Sequence, residues 1–384
     1  MNLQLLGGLT VPQFLARHWQ KKPLLVRTAV RGFNDPVQAA ELLRLASRED
    51  VESRLVRGTG TRLSLEHGPF RASRFRSLPP RNWTLLVQGL NHHVNAADRL
   101  LRQFNFIPYA RLDDVMVSYA APGGGVGAHM DSYDVFLLQG EGPRLWRIGR
   151  PRDTRMVEGS SLRLLRSFEP SEEYLLEAGD MLYLPPGWGH EGTALDECMT
   201  YSIGFRAPAR RELLSEFLVR QSERVDISGL YEDPDLRAQA RPAAIPKAMI
   251  DKTAKLVARL RHSPGDVRTF LGEYLSEPKP NIVFDRPASP LSLPRFAQRV
   301  HALGVRTDAR TLMLHSGACL FINGESMAMA GPLKKPLMRL ADERGLPPGR
   351  HSQALCALLH EWYRAGWMHA DVEESTHRKG GGDD

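Results

Sequence analysis

Cysteine is scarce in this sequence, and long apolar runs are absent from it. The 384 residues contain three cysteines, Cys198, Cys319 and Cys356, and no two of them form a CxxC pair. This scarcity argues against a disulfide framework and against a zinc ribbon, and it fits a protein of the reducing cytoplasm. We expect all three cysteines to be buried and to behave as small hydrophobic residues. No run reaches the roughly 18 apolar residues of a membrane-spanning helix, and residues 1–7 do not resemble a secretory signal.

Charge of one sign does not dominate the chain. Lysine and arginine number 51, aspartate and glutamate number 44, and the net charge is +7. Such a mild excess would help the protein to approach an anionic surface such as a ribosome, but it does not by itself indicate nucleic-acid binding. The length of 384 residues predicts two or three domains, each long enough to bury its own core.

The middle of the sequence is rich in β-structure signals. Short runs of β-branched, aromatic and aliphatic residues are separated by turns rich in glycine and proline. These runs predict strands at residues 115–119, 134–138, 144–148, 174–177, 181–184 and 199–205. Many short strands with frequent turns and little helix favour a β-sandwich or a barrel in this region.

Mixed signals precede this β-rich region, and helical signals follow it. In the first part of the chain, apolar spacing predicts helices at 12–20, 38–45 and 94–104 and strands at 24–27 and 83–88. After Pro208 the same spacing predicts helices at 210–224, 246–260 and 264–275, followed by a proline-rich linker at 277–294.

The last segment combines helices with a hairpin. Its pattern predicts helices at 293–303, 335–344 and 352–365, with strands at 311–314 and 320–322. Asn323-Gly324 is a strong signal of a two-residue hairpin turn, and the whole combination is typical of a small winged-helix-like domain. We therefore expect a β-rich domain at 1–208, a helical region at 209–286, a winged-helix-like domain at 287–376 and a disordered tail at 377–384.

The tripeptide His129-Met130-Asp131 carries the clearest chemical signal. On a strand, residues i and i+2 point to the same face, so His129 and Asp131 can both reach one metal ion. His190, which follows a predicted strand and a Pro-Gly turn, is the best candidate for the third ligand. Two histidines and one carboxylate are typical of a non-haem Fe(II) oxygenase, whereas a structural zinc site would be closed and usually built with thiolates.

An iron site of this type can bind a 2-oxo acid through two open positions and O2 through the third. The far carboxylate of 2-oxoglutarate then needs a cation, and an arginine suits it because the planar guanidinium holds a carboxylate through two hydrogen bonds. Arg144 is our candidate, and Arg147 is its rival, although it should face the opposite side of the same strand. Ser118 could donate its hydroxyl to the same carboxylate, and Ser202 is a weaker candidate for that role.

Several segments of the chain resemble the bacterial ribosomal oxygenases of the JmjC/cupin group. The resemblance is carried by HMDSYDVFLLQG (129–140), RLWR (144–147) and LPPGWGHEG (184–192), and residues 14–23 and 201–208 add to it. Carried over residue by residue, the family's site comprises the iron ligands His129, Asp131 and His190, the cosubstrate anchors Ser118 and Arg144, and Tyr133 at the substrate mouth.

The resemblance also implies a fold and an activity. The fold would be α+β: a double-stranded β-helix of the jelly-roll or cupin type, then a helical dimerisation region and a winged-helix-like domain. The activity would be that of an Fe(II)- and 2-oxoglutarate-dependent dioxygenase. It would hydroxylate an arginine at its β-carbon in large-subunit ribosomal protein sixteen, and the enzyme would be a homodimer.

Two other functions stay open at this point. A JmjC-type hydroxylase could act instead on a histidine or a lysine of another protein, because the metal site does not fix the substrate. Alternatively, the winged-helix-like segment could belong to a nucleic-acid-binding regulator with a vestigial cupin. Against the regulator, Lys334, Lys335 and Arg339 form the single basic cluster near its expected recognition helix.

Overall fold

A computed structural model of the chain describes residues 3–225, 228–234, 236–238 and 241–370, and the predicted tail at 377–384 lies outside them. The first part of the chain alternates helices with strands: α1 (Val11–Arg17), β1 (Leu24–Val26), α2 (Ala39–Leu45), β2 (Ser53–Thr59), β3 (Arg62–His67), α3 (Ala72–Arg76), β4 (Trp83–Val87) and α4 (Asn95–Arg102). Helix α1 begins at a capping box, in which Thr10 and Gln13 each accept a hydrogen bond from the other's backbone N–H.

Antiparallel strands make up the middle of the chain. They are β5 (Leu112–Ala120), β6 (His129–Met130), β7 (Val135–Gln139), β8 (Arg144–Gly149), β9 (Glu172–Leu176), β10 (Met181–Leu184), β11 (Gly189–Ala194) and β12 (Cys198–Phe205). An eight-stranded sheet has the order β1-β10-β7-β12-β5-β4-β2-β3, and a four-stranded sheet has the order β6-β11-β8-β9. The two sheets form the predicted double-stranded β-helix.

Strand β7 illustrates why these runs are apolar throughout. Phe136 and Leu138 belong to a core in which the large sheet packs against the N-terminal helices. Val135 and Leu137 belong to a second core, which they share with Trp146 of the small sheet. Because both faces of β7 are covered, the strand shows no alternation of polar and apolar residues.

Helices and two small sheets form the C-terminal part. The helices are α5 (Arg210–Arg224), α6 (Lys247–Val257), α7 (Pro264–Ser276), α8 (Leu293–Leu303), α9 (Lys334–Glu343) and α10 (Gln353–Arg364). The strands are β13 (Val305–Thr307), β14 (Met313–Ser316), β15 (Cys319–Ile322), β16 (Glu325–Ala328), β17 (Gly345–Leu346) and β18 (Met368–His369). Short 3-10 helices at Leu3–Leu6, Leu90–His92, Tyr109–Arg111 and Gly331–Leu333 complete the described elements.

The hairpin of β15 and β16 turns at Asn323-Gly324, as predicted. Both residues have positive φ, 49° and 86°, which is the geometry of the turn that favours this dipeptide. Phe296, Leu320, Leu340 and Leu359 belong to the core that joins this hairpin's sheet to α8, α9 and α10. The expected winged-helix-like arrangement is therefore confirmed.

Several details differ from the sequence-based expectations. The hairpin of β2 (Ser53–Thr59) and β3 (Arg62–His67) was not predicted, and β6 is too short to give a pattern. Cys198 and Cys356 are buried as expected, whereas Cys319 is only half-buried because it lies beside the turn between β14 and β15. Among the described residues, no helix combines the length and the apolar character needed to cross a bilayer.

Candidate metal centre

Strand pairing brings the two candidate histidines together. His129 on β6 lies directly opposite His190 on β11 in the antiparallel register, and their ring centroids are 4.2 Å apart. The fold therefore joins two residues that are far apart in sequence, as expected for neighbouring strands of a double-stranded β-helix. Asp131 lies just past the end of β6, yet its Oδ2 is 3.7 Å from Nε2 of His190.

Backbone carbonyls orient both imidazole rings. Nδ1 of His129 lies 3.0 Å from the carbonyl oxygen of Gly127, and Nδ1 of His190 lies 3.1 Å from that of Trp188. A carbonyl oxygen can only accept, so each Nδ1 carries the proton and donates it. The lone pair of each Nε2 is then directed to the shared space between the rings, which is how metal-binding histidines are usually fixed.

The three side chains fit one metal ion. One ligand atom from each of His129, Asp131 and His190 lies within 4.8 Å of the other two. Burial, followed by the neighbouring His129, lowers the pKa of His190 to about 4, so its imidazole is neutral at physiological pH and free to coordinate. Two nitrogens and one carboxylate, with no thiolate among them, suit Fe(II) with open positions better than structural zinc.

Arg144 is buried in the same cavity. It is 4% exposed, and its Nη1 donates hydrogen bonds to Oγ of Ser118 at 2.8 Å and to Oγ1 of Thr200 at 3.0 Å. Thr200 in turn donates to Oε1 of Gln139 at 2.9 Å. Both hydroxyl groups reach Arg144 because Ser118 on β5 and Thr200 on β12 lie directly opposite each other in the strand register.

Arg144 has no acidic partner among the residues that the structure describes. Its neighbours are hydroxyl groups and the ring of Trp146, 5.5 Å away, and its Nε is buried without a hydrogen bond. Burial lowers the pKa of the Arg144 guanidinium from its usual value. A desolvated cation surrounded by neutral groups is a place for an external carboxylate.

Arg147, the alternative cosubstrate anchor, points away from the cavity and pairs with two glutamates. Nε of Arg147 is 2.9 Å from Oε1 of Glu173, and its Nη1 is 3.7 Å from Oε2 of Glu191, at the exposed face of the small sheet. Ser202 does line the cavity, but Thr200, which the sequence reading did not single out, is the β12 hydroxyl that contacts Arg144.

One cavity of about 580 Å³ connects these groups. His129, Asp131, His190, Ser118 and Arg144 all line it, which brings the predicted iron ligands and the predicted cosubstrate anchors into one space. Tyr133 also lines it and is 40% exposed, as expected for a residue at its mouth. Burial, then the nearby Asp131, raises the pKa of the Tyr133 phenol, which therefore stays protonated.

An acid pair in the cavity wall was missed by the sequence reading. Asp113 and Asp114 lie on β5, the strand that carries Ser118, and both line the cavity. Both oxygens of Asp114 accept hydrogen bonds from Nε2 of Gln88, at 3.0 and 2.9 Å. The one available signal was their position just before the strand predicted at 115–119, which does not separate them from ordinary surface carboxylates.

Two family models match the chain. The model described as "JmjC domain" matches residues 99–213, which contain the metal cluster, the acid pair and the buried arginine. The model described as "ROXA-like winged helix" matches residues 259–369.

Individual relatives extend this likeness. The chain is 39% identical over 280 residues to the ribosomal protein uL16 3-hydroxylase of Escherichia coli, covering 73% of this chain and 74% of that protein. It is 28% identical over 212 residues to the bifunctional lysine-specific demethylase and histidyl-hydroxylase NO66 of Drosophila persimilis, covering 52% of this chain and 30% of that protein. A solved structure of an Escherichia coli ribosomal oxygenase with cobalt and 2-oxoglutarate has a TM-score of 0.80 and 34% identity, covering 94% of this chain and 98% of that one.

Proposed function

The chain belongs to the ribosomal oxygenases of the JmjC family, and we propose that it hydroxylates an arginine of ribosomal protein uL16 at the β-carbon. It is a dioxygenase that uses Fe(II), with 2-oxoglutarate and O2 as cosubstrates. We assign His129, Asp131 and His190 as the residues that would hold the iron. When bound, the iron supplies O2 activation coupled to the oxidation of 2-oxoglutarate to succinate and CO2, with one oxygen atom delivered to the substrate.

The chain's own residues bind and orient the reactants. Arg144 would hold the far carboxylate of 2-oxoglutarate through its planar guanidinium, while Ser118 and Thr200 keep that guanidinium in place. Trp146 and Leu137 make the nearby wall apolar, which limits the access of water to the reacting groups. Asp131 would supply the one carboxylate ligand, and the imidazoles of His129 and His190 would supply the other two.

One observation carries this proposal most strongly. A buried arginine without an acidic partner among the described residues shares a cavity with a His-Asp-His cluster. A vestigial cupin would have no reason to keep a desolvated cation, which costs free energy unless a ligand neutralises it. The arrangement therefore supports an active oxygenase over the regulator alternative.

The acid pair supports an arginine substrate. Asp113 and Asp114 offer carboxylate oxygens to a positively charged side chain that enters the cavity past Tyr133. A guanidinium can donate to two such oxygens at once. A neutral histidine ring would gain less from this wall, so the acid pair favours arginine over the histidine alternative; a lysine would fit it only as a point charge.

The function is tested by mass spectrometry on the full chain. The protein is incubated with recombinant uL16, Fe(II), 2-oxoglutarate and O2, and the mass of intact uL16 is measured before fragment spectra locate the change. We expect the mass of one added oxygen atom on an arginine. Asp131→Ala should give no added oxygen because the iron loses its anionic ligand, whereas Asp153→Ala, at a half-buried loop carboxylate that pairs with Arg155, should match the wild type.

Other outcomes of the same experiment are equally informative. Oxygen on a histidine or a lysine would replace the arginine proposal with the alternative substrates. Succinate formation that depends on uL16 and persists in Asp131→Ala would show that the metal ligands are wrongly assigned.

We further propose a cytoplasmic homodimer formed through the helical region at 209–286, with the winged-helix-like domain at 287–376 following it. The resemblance implies the dimer, and the surface of α5 and α6 supports it. Exposed large apolar residues are concentrated there: Leu214, Leu218, Val219, Met249, Ile250, Leu256 and Val257. Helix α6 buries none of its residues within the described chain, which is typical of a helix that a partner covers.

A further inference from the structure

Lys279 lies between two prolines in the linker after α7 and reaches the acid pair. Its Nζ is 2.9 Å from Oδ1 of Asp113 and 3.2 Å from Oδ2 of Asp114. Pro278 and Pro280 restrict the backbone on both sides of Lys279, since proline fixes its own φ and limits the residue before it. A stiff segment therefore brings one cation to two adjacent carboxylates that are 165 residues away in the chain.

The linker is held from two sides. Oγ of Ser276, at the end of α7, accepts a hydrogen bond from the backbone N–H of Gly324 in the hairpin of β15 and β16. The carbonyl oxygen of Leu275 accepts one at 2.9 Å from Nη1 of Arg206, which follows β12 of the catalytic domain. The position of Lys279 thus depends on both the winged-helix-like part and the catalytic part.

Lys279 contacts Asp113 and Asp114 but leaves some of the acceptor positions of these carboxylates free. Asp113 and Asp114 line the cavity, and Lys279 is not among the described residues that do. A carboxylate can accept about four hydrogen bonds, and Asp114 accepts two from Gln88 and one from Lys279. Acceptor positions remain for a ligand on the cavity side.

The surroundings of Asp114 act on the pKa of its carboxyl group in opposite directions. Burial, then the adjacent Asp113, raises its pKa, whereas Lys279 and the Gln88 hydrogen bond oppose that rise. Removal of the lysine charge would raise the pKa of Asp114 further. Other charged or titratable groups also surround the pair. Arg206 lies 3.5 Å from Asp113, and Arg54 donates a hydrogen bond to Gln88, the residue that contacts Asp114. Tyr133 and His92 are the nearby titratable side chains.

We propose that Lys279 is a positioning residue that holds Asp113 and Asp114 in place, as anions, to receive the guanidinium of the substrate arginine. This inference rests on the proposed arginine substrate. It gives the linker and the winged-helix-like part a role in substrate recognition, because both determine where Lys279 lies.

The test compares variants of the full chain by steady-state kinetics with uL16 over a range of pH. Lys279→Met removes the charge and keeps the length, Lys279→Arg restores a cation, and Lys22→Met is a matched loss of an exposed lysine. We expect Lys279→Met to raise KM for uL16 roughly tenfold at neutral pH, with kcat and KM for 2-oxoglutarate little changed. As pH rises and Asp114 loses its proton, KM should fall back towards the wild-type value.

The remaining variants and the wild type separate the possible failures. Lys279→Arg should recover most of the lost affinity, and Lys22→Met should behave as the wild type at every pH. A lower KM for uL16 in Lys279→Met would identify Lys279 as a competitor of the substrate and overturn the proposal, as would an unchanged KM or one independent of pH. If the wild type does not hydroxylate an arginine of uL16, the proposed function itself fails, and the role of Lys279 fails with it.

Discussion

At the scale of single residues, Arg144 makes a prediction about the cosubstrate. Arg144→Met removes the cation that Ser118 and Thr200 orient, so the far carboxylate of 2-oxoglutarate would lose its proposed charged partner. Truncating one side of a buried charged hydrogen-bond pair costs at least about 2 kcal/mol, which corresponds to roughly a 30-fold rise in KM for 2-oxoglutarate. Initial rates of succinate formation over a range of 2-oxoglutarate concentrations measure this change.

Arg147→Met is the matched control on the same strand. Arg147 pairs with the exposed Glu173 and the half-buried Glu191, so its loss should leave KM for 2-oxoglutarate within about twofold of the wild type. Arg144→Met should not lower the melting temperature of the ligand-free protein, because an isolated buried cation does not stabilise a fold. If Arg147→Met, rather than Arg144→Met, weakened cosubstrate binding, the assignment of the anchor would be reversed.

The acid pair and Lys279 show where residue-level prediction stops. His129 and Asp131 are close in sequence, so strand geometry is enough to bring them together. Asp114 and Lys279 are 165 residues apart, and their contact depends on where the linker lies after α7. No local sequence pattern indicates a contact between residues so far apart in the chain. The acid pair could therefore not be recognised from the sequence.

At the scale of secondary structure, strands with apolar runs were predictable and very short ones were not. The strand expected at 181–184 coincides with β10, the helix expected at 210–224 coincides with α5, and the strand expected at 115–119 lies within the longer β5. Strand β6 has two residues, and β11 contains two glycines, Gly189 and Gly192, among its six residues. These two strands carry the histidines, so pairing within the fold, rather than local propensity, forms the proposed metal site.

Helix α7 yields a prediction about packing. A Cβ at Gly272 would lie 2.4–2.5 Å from ring atoms of Phe321 on β15, so Gly272→Ala forces this helix away from the hairpin. We expect the free energy of unfolding to fall by about 1–3 kcal/mol, as for other overpacked interiors. Thermal and urea unfolding of the full chain, followed by circular dichroism, measures the loss.

The control for this prediction lies on the same helix. Val267 is 43% exposed, and alanine has the higher helix propensity, so Val267→Ala should change stability by less than about 0.5 kcal/mol. Equal stability of Gly272→Ala and the wild type would mean that α7 and the hairpin separate readily. The anchoring of the linker that presents Lys279 would then need another explanation.

At the scale of the whole molecule, the catalytic and C-terminal parts are joined by several polar contacts. The hydroxyl of Tyr109 donates to the carbonyl oxygen of Asp342 at 3.2 Å, and Arg206 donates to Leu275. Arg344, which is half-buried near Arg102 of the catalytic part, donates from its Nη1 to the carbonyl oxygen of Thr311 within the C-terminal part. The apolar surface of α5 and α6, in contrast, has no cover within the described chain, and this is where a second copy is expected to bind.

The proposed dimer predicts that a charge on this surface separates the protomers. Leu218 on α5 is 46% exposed and Ile250 on α6 is 55% exposed, so aspartate at either position leaves the folded protomer intact but places an unpaired carboxylate in the interface. Such burial costs several kcal/mol, enough to dissociate a dimer at micromolar concentration. Light scattering after size exclusion should give the mass of a dimer for the wild type and of a monomer for Leu218→Asp and Ile250→Asp. Leu195→Asp, at a leucine that is 51% exposed in the catalytic domain, should stay dimeric. A monomeric wild type would exclude the dimer. Dissociation by Leu195→Asp alone would place the dimer interface outside the helical region.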